Sequence, residues 1–274
     1  MKRIITLVLM VLPGLMLWAQ DYQESVRLAL SALEHDSLDV AESHIRAALQ
    51  KEPALKSNAI LFEYLGKIQE RKGQTDDALL SYSAGINLSP TTMGLLLDRA
   101  SLYMRLEQEN RALSDYSEVL RMSPDHTEAL FFRAYIYMHQ RLYKEARFDY
   151  EHLLRLEPDN EKARLGLALL NDKSGRPHEA MEQMNMLVQI YPDHANLYAV
   201  RGGMEEDRKQ YELALHDYDR AIELEPDNAD FWLIRASFLQ TTGRKRQAKA
   251  DFQKALELGA DEMMVASMMK QKKR

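Results

Sequence analysis

The apolar residues of this chain recur at the spacing of amphipathic helices, in pairs of segments. In the stretch ADFWLIRASFLQTTGRKRQAKADFQKALELGA, residues 229–260, apolar side chains follow one another at three- and four-residue intervals on both sides of a polar TTG. These intervals match the 3.6-residue period of an α-helix, which brings such side chains onto one face. The pattern predicts two helices joined by a short turn.

The paired pattern returns along the chain with a fixed period. Prolines stand 34 residues apart at positions 90, 124, 158, 192 and 226, and Pro53 lies 37 residues before the first of them. An alanine stands twelve residues before each proline or its equivalent place: Ala41, Ala78, Ala112, Ala146, Ala180, Ala214 and Ala248. The spacing predicts seven repeats, at residues 22–55, 59–92, 93–126, 127–160, 161–194, 195–228 and 229–262.

Two further positions predict how the helices fit together. One position is small in every repeat: Ala29, Gly66, Ala100, Ala134, Ala168, Gly202 and Ala236. The other carries a large side chain in every repeat: Ile45, Tyr82, Tyr116, Tyr150, Met184, Tyr218 and Phe252. The small residues let two helices approach closely, and the large side chains fill the gap between neighbouring helices.

Turn and capping residues separate the helices. Gly73, Gly175 and Gly243 mark the turn inside three of the repeats. The periodic proline lacks an N–H group and ends the second helix. We expect the aspartate that follows it to accept hydrogen bonds from the first N–H groups of the next helix. This aspartate occurs four times, as Asp125, Asp159, Asp193 and Asp227.

These small residues, alanines, aromatics and prolines resemble the tetratricopeptide repeat (TPR), a helix–turn–helix unit of 34 residues, over residues 22–262. The resemblance implies an all-α fold, a right-handed α-solenoid of seven tandem repeats whose first helices line a concave groove. It also implies a surface for protein or peptide partners. At residues 263–274 we predict a capping helix with a basic tail, because repeat arrays need their open end covered. The alternative is that this Met-rich segment docks to a partner or a membrane.

An arginine and an aspartate occur together in four repeats and are both missing from the other three. The matched residues are Arg99 with Asp115, Arg133 with Asp149, Arg201 with Asp217, and Arg235 with Asp251. We predict a structural ion pair between the two helices of each of these repeats. The alternative is a row of arginines that binds an acidic ligand.

The predicted groove has an apolar middle and charged ends. Its candidate ligand-binding residues lie on the first helices of the third, fourth and fifth repeats: Leu97, Met104, Phe131, Tyr135, Met138, Leu165 and Leu169. An apolar floor with polar rims suits an amphipathic helix or an extended peptide. The alternative is that these side chains only pack on one another and on adjoining helices.

The N-terminus has the pattern of a secretory signal. Lys2 and Arg3 precede an uncharged segment at residues 4–18, and Ala19 follows it. We predict a signal peptide at residues 1–19, export through the inner membrane, and a periplasmic or outer-membrane-associated protein with no membrane span after cleavage. The alternative is an uncleaved anchor, although fifteen apolar residues are fewer than the roughly 20 that span a bilayer.

Composition and missing motifs narrow the function. The chain has 42 acidic residues against 36 lysines and arginines, so we expect no binding to nucleic acid or anionic lipid. It contains no Cys, no glycine-rich phosphate loop, no HExxH and no GxSxG motif, and its histidines show no metal-ligand spacing. We therefore predict no catalytic residues, no cofactor and no metal.

The predicted function is a non-catalytic protein–protein interaction scaffold, exported to the periplasm, that binds a peptide or protein segment in its groove. The alternative is a structural subunit of a cell-envelope assembly. Such a subunit would dock through its convex face or through the Met-rich C-terminal helix.

Overall fold

The computed structural model of the chain describes residues 21–270, which lie in helices and in the turns that connect them. Within this range there is no strand, and no helix has both the length and the hydropathy of a bilayer-spanning segment. The predicted signal peptide at residues 1–19 and the end of the predicted basic tail, residues 271–274, lie outside the described residues.

Fifteen α-helices follow one another in the described range. They are α1 at residues 21–34, α2 Leu38–Lys51, α3 Ala59–Arg71, α4 Thr75–Leu88, α5 Met93–Arg105, α6 Glu109–Met122, α7 Thr127–His139, α8 Tyr143–Leu156, α9 Glu161–Lys173, α10 Pro177–Ile190, α11 Ala195–Asp207, α12 Tyr211–Leu224, α13 Ala229–Thr241, α14 Lys245–Glu257 and α15 Glu262–Lys270. A short 3₁₀ turn, Lys56–Asn58, precedes α3. Consecutive helices pack as hairpins, which are numbered by the predicted repeats: α3 with α4 is the second, α5 with α6 the third, α9 with α10 the fifth, α11 with α12 the sixth and α13 with α14 the seventh. The predicted all-α class of tandem helix–turn–helix repeats is confirmed.

The chain divides into two compact units, an N-terminal unit up to Ile136 and a C-terminal unit from Tyr137. In the N-terminal unit, one buried cluster of α1, α2 and α3 contains Ile45 and Leu61, and a second contains Tyr82 and Leu95. In the C-terminal unit, one buried cluster joins α12, α13, α14 and α15. Each cluster draws on consecutive hairpins because a single hairpin cannot bury its apolar face.

The turn inside every hairpin contains one residue in the left-handed backbone region. Gly73, Gly175 and Gly243 hold this place in three hairpins, with φ of 73°, 79° and 86°. In the other four hairpins the place is taken by residues with a side chain: Asp36, Glu107, Arg141 and Lys209. Glycine adopts this conformation freely, whereas other residues adopt it at a cost. The shared turn therefore does not depend on glycine alone.

At two of the four predicted aspartate caps, Asp159 and Asp227, the side chain of the following asparagine caps the helix instead. Asn160 accepts a hydrogen bond from the Ala163 N–H at 2.9 Å, and Asn228 accepts one from the Asp230 N–H at 3.1 Å. Each asparagine is the N-cap residue of its helix, α9 and α13. The preceding aspartate stands one position too early, because a capping side chain must belong to the residue at the helix boundary.

The C-terminal helix α15 covers the last hairpin, as the fold class predicts. Val265 is 1% exposed within the cluster of α13 and α14, and Met268 packs on the same cluster. The Gln240 side-chain amide donates to the Met268 carbonyl at 2.8 Å. The opposite side of α15 carries exposed methionines, of which Met263 is 81% exposed.

Candidate functional site

Three of the four predicted arginine–aspartate pairs are formed, each within one hairpin. Arg99 donates from Nε and Nη2 to the two carboxylate oxygens of Asp115, at 2.8 and 2.7 Å. The same bidentate geometry joins Arg201 to Asp217 at 2.6 and 2.7 Å, and Arg235 to Asp251 at 2.8 and 2.9 Å. Arg133 belongs to the N-terminal unit and Asp149 to the C-terminal unit, so that pair stays a prediction.

Each of these arginines also ties its hairpin to the preceding one, which the sequence pattern did not predict. The remaining nitrogen, Nη1, donates to Ser83 from Arg99, to Asn185 from Arg201, and to Asp219 from Arg235, at 2.9, 3.0 and 2.7 Å. The acceptor always lies sixteen residues before the arginine, on the second helix of the preceding hairpin. The three partners differ in type, so no single residue pattern marks them.

In these ion pairs the aspartates are buried and the arginines partly buried, and two of the arginines lie beside aromatic rings. The three aspartates are 4%, 1% and 5% exposed in chain order, and the Asp115 carboxylate raises the pKa of Arg99 above its ordinary value. The Arg201 guanidinium lies 5.6 Å from the Tyr198 ring centroid, and that of Arg235 lies 5.0 Å from the Trp232 ring. Nε and both Nη atoms of each arginine already donate to protein acceptors, which favours a structural role over a row of ligand-binding arginines.

The seven predicted groove residues are all partly exposed. Leu97 and Met104 lie on α5, Phe131, Tyr135 and Met138 on α7, and Leu165 and Leu169 on α9. The first four belong to the N-terminal unit and the last three to the C-terminal unit. Leu165 and Leu169 also pack against the buried cluster around Met184, so part of their apolar surface serves the core. Their participation in one ligand groove stays a prediction.

Charged residues on the first helices of the N-terminal unit are paired with one another. Lys67 Nζ lies 2.6 Å from Glu63 Oε1 and 3.0 Å from Asp98 Oδ2. Arg71 contacts Asp36 at 2.6 Å, and Arg105 contacts Glu70. Lys67–Glu63 lies within α3, the pairs Lys67–Asp98 and Arg105–Glu70 join α3 to α5, and Arg71–Asp36 joins α3 to the turn that follows α1. The charged end of the predicted groove is therefore largely neutralised by internal contacts.

Two hairpins contain a glycine–tyrosine–glutamate contact that sequence reasoning missed. A Cβ atom on Gly66 would clash with the Tyr82 ring, and the Tyr82 hydroxyl donates to Glu70 at 2.5 Å. The sixth hairpin repeats the arrangement, with Tyr218 donating to Glu206 at 2.9 Å beside Gly202. In the third hairpin, where Ala100 replaces glycine, the buried Tyr116 hydroxyl has no hydrogen-bond partner. The available signal was a glutamate four residues after each glycine.

Two cavities open between second helices in the C-terminal unit. An apolar cavity of about 240 Å³ lies between α8 and α10, beside Leu167, which stands where other hairpins have the arginine. Met186 and Ile190 line it and are more than half exposed. A polar cavity of about 730 Å³ lies between α10 and α12, and residues of α11 form its floor. The apolar cavity accompanies the replacement of the repeated arginine and aspartate by Leu167 and Gln183, whereas the polar cavity has no signature in the repeat pattern.

The polar cavity contains a buried carboxyl group without a partner. Glu205 on α11 is 5% exposed, and its Oε2 atom has no hydrogen-bond partner. Burial, with a smaller contribution from Asp217, raises the pKa of Glu205 from 4.5 to about 7. In the described part of the chain, no three His, Asp or Glu side chains are grouped as a metal site would require.

The protein is thus a tandem array of helical hairpins. Proteins of this class offer extended surfaces for recognition. Sequence profiles described as tetratricopeptide repeat match residues 26–91, 97–151 and 205–262, and a second such profile matches residues 140–202. The chain belongs to the tetratricopeptide repeat family. No curated protein matches the sequence with significant similarity.

Solved structures show the same fold. A tetratricopeptide repeat protein from Parabacteroides merdae is 29% identical and superposes with a TM-score of 0.80, over 92% of this chain and 98% of the other. A repeat protein from Cytophaga hutchinsonii is 13% identical, with a TM-score of 0.60 over 89% and 99% of the two chains. The PilF protein of Pseudomonas aeruginosa is 15% identical, with a TM-score of 0.56 over 79% and 99%. The last two likenesses concern the fold alone.

Proposed function

We propose that this chain is a non-catalytic scaffold, exported to the periplasm, that binds a peptide or protein segment in the concave groove of its repeats. The tetratricopeptide repeat fold is that of a protein–protein interaction scaffold, and repeats of this family are generally non-catalytic. The observation that carries the groove assignment is the partial exposure of all seven apolar groove residues on the first helices. Apolar side chains left accessible at helical spacing match the needs of an amphipathic or extended ligand.

The groove assignment is tested by removing its two aromatic rings. Phe131→Ala with Tyr135→Ala is expected to abolish capture of the partner from an envelope extract, because these rings offer the largest apolar area in the groove. Phe148→Ala is the matched control, since Phe148 lies on a second helix and is 61% exposed. Circular dichroism checks that each variant stays helical. Unchanged capture by the double variant, or loss in the control alone, would refute the groove.

Export is tested separately from binding. Cell fractionation of the full-length protein is expected to place it in the periplasm or with the outer membrane. N-terminal sequencing of the mature protein is expected to start at Gln20 or close to it, because cleavage is predicted after Ala19. Recovery in the cytoplasm with Met1 retained would contradict export and leave the groove test unaffected.

A second candidate function is docking to an envelope assembly through the C-terminal helix. The exposed methionines Met263, Met264 and Met269 favour it, since Met263 is 81% exposed and the other two are each 44% exposed. Met263→Gln with Met269→Gln keeps the buried Val265 and therefore the cap. Loss of assembly with an unchanged melting temperature would support docking through α15, and full assembly would oppose it.

A further inference from the structure

The polar cavity of the C-terminal unit lies apart from the predicted groove. Its walls are the second helices α10 and α12, and its floor is α11, whereas the predicted groove residues lie on α5, α7 and α9. Pro177, His178, Met181 and Asn185 form one wall; Gln210, Leu213, His216 and Asp217 form the other; Arg201, Glu205 and Arg208 form the floor. The cavity therefore presents a surface that the proposed function does not use.

All fixed charges of the cavity except one have a counter-ion. Arg201 is held by Asp217 at 2.6 Å. Arg208 donates to Asp172 at 2.8 Å, and also to the carbonyl groups of Met204 and Pro177. Glu205 has no ion pair, and its buried Oε2 accepts no hydrogen bond. A buried carboxylate without a partner is costly. A cationic group with N–H donors would therefore complete the cavity by pairing with Glu205.

The walls of the cavity also carry apolar side chains that suit the methylene groups of a long cationic side chain. Met181 is half-buried on one wall, and Leu213 is 54% exposed on the other. Lysine and arginine place their methylene groups along such apolar surface while the charged end reaches a polar partner. The combination of an apolar entrance and a buried carboxylate fits these two side chains better than a compact inorganic cation.

We infer that this cavity binds a lysine or arginine side chain of a partner protein, with Glu205 as the counter-ion. The opening lies on the surface between two second helices, where a partner chain has access to it. Arginine matches the carboxylate through two parallel N–H donors, and lysine matches it as a point charge.

The site carries its own pH dependence. The groups that face Glu205 are Arg201 and Arg208 from α11 and its C-terminal end, His178 from α10, and His216 and Asp217 from α12. The raised pKa of Glu205, about 7, means that protons compete with the cation below neutral pH. Affinity for the cation is therefore expected to fall about tenfold for each pH unit below about 7 and to level off above it.

The test titrates the purified protein with Nα-acetyl-arginine amide, Nα-acetyl-lysine amide and, as the neutral control, Nα-acetyl-citrulline amide. The methyl resonance of Met181 reports on the cavity, and that of Met263 on α15 is the internal control. We expect a saturable shift of the Met181 signal with the two cations only. In Glu205→Gln the affinity at pH 8 is expected to drop at least about tenfold, because a charge-assisted hydrogen bond is lost.

Glu205→Asn is a second variant with the same expectation, since it introduces the residue that the fifth hairpin carries at this position, Asn171. Equal binding of the citrulline compound, undiminished binding by both variants, or no shift of Met181 would overturn the proposal. Tighter binding of free putrescine than of either blocked amino acid would overturn the assignment to a protein side chain. None of these outcomes depends on the groove.

Discussion

The fifth and sixth hairpins have the same helix–turn–helix backbone but carry different side chains between their helices. The fifth has Leu167 and Gln183 where the sixth has Arg201 and Asp217. In the sixth, the arginine bridges both neighbouring second helices through hydrogen bonds, at the floor of the polar cavity of about 730 Å³. In the fifth, leucine cannot make these bonds, and an apolar cavity of about 240 Å³ lies beside it.

A second position contrasts in the same two hairpins. Asn171 in the fifth is 1% exposed and fully engaged, accepting from Arg147 at 2.5 Å and donating to Gln183 at 2.8 Å. Its equivalent in the sixth, Glu205, is equally buried and has an oxygen without a partner. The comparison shows that the same hairpin backbone accommodates a neutral amide network or an ion pair, and that the ion-paired hairpin leaves one buried carboxyl oxygen without a hydrogen-bond partner.

The largest expected effect comes from breaking an ion pair. Asp115→Gln in the third hairpin gives this position the fifth hairpin's residue and leaves the half-buried Arg99 without its carboxylate. We expect a loss of about 3 kcal/mol in the free energy of unfolding, because an uncompensated charge remains. Urea denaturation followed by circular dichroism measures it.

Completing the exchange should recover much of that loss. The double variant Arg99→Leu, Asp115→Gln carries both residues of the fifth hairpin and contains no unpaired charge. Gln183→Ala, the matched change in the fifth hairpin, is expected to cost only about 1 kcal/mol, because it removes a neutral hydrogen bond. A double variant as unstable as the single one would show that the two residues are not coupled.

A smaller effect is expected where the hairpins differ in side-chain volume. The fifth pairs Ala168 with Met184, and the sixth pairs Gly202 with Tyr218. A Cβ on Gly202 would lie 2.9 Å from the Tyr218 ring, so Gly202→Ala is expected to cost about 1–3 kcal/mol by overpacking. Thermal denaturation measures it. Adding Tyr218→Met should restore part of the loss, and a stabilised Gly202→Ala variant would contradict the close contact.

The last effect concerns the pH dependence of stability. Glu205 has a pKa of about 7 in the folded chain, above the ordinary value of 4.5. The folded state therefore keeps a proton that the unfolded state releases, and its stability falls as pH rises through this window. Glu205→Gln lacks this dependence and should gain about 2 kcal/mol of stability relative to the wild type from pH 5 to pH 8, because a pKa raised from 4.5 to about 7 corresponds to at most about 3 kcal/mol. Parallel pH profiles of the two proteins would contradict the buried carboxyl.

The arrangement of the helical hairpins could be predicted from the sequence because the hairpin repeats along the chain. Several features recur every 34 residues: the small position, the large position, and the arginine–aspartate pair seen as Arg99 and Asp115. Each hairpin therefore supports the interpretation of the others. The caps of α9 and α13 were placed one residue early because aspartate and asparagine are adjacent there and both are good caps. A shift of one position does not disturb a repeat pattern, so the period could not decide between them.

The candidate sites were less predictable because they depend on departures from the pattern. The Nη1 partners of the arginines, Ser83, Asn185 and Asp219, share a position and accept through a side-chain oxygen, but they are three different residue types. Glu205 is one acidic residue within an acidic stretch, and only its packing shows that it is buried. A position that changes type from repeat to repeat gives no signal until the helices are assembled.

The central claim, that first helices carry the recognition surface, is tested most directly by photo-crosslinking in the native cell. A photoreactive residue replaces Met104 on a first helix or Leu80 on a second helix, where Leu80 is 69% exposed. The account predicts one specific crosslinked partner at Met104, reproduced at Leu97, and none at Leu80. A partner captured at Leu80 and absent from both first-helix positions would contradict it.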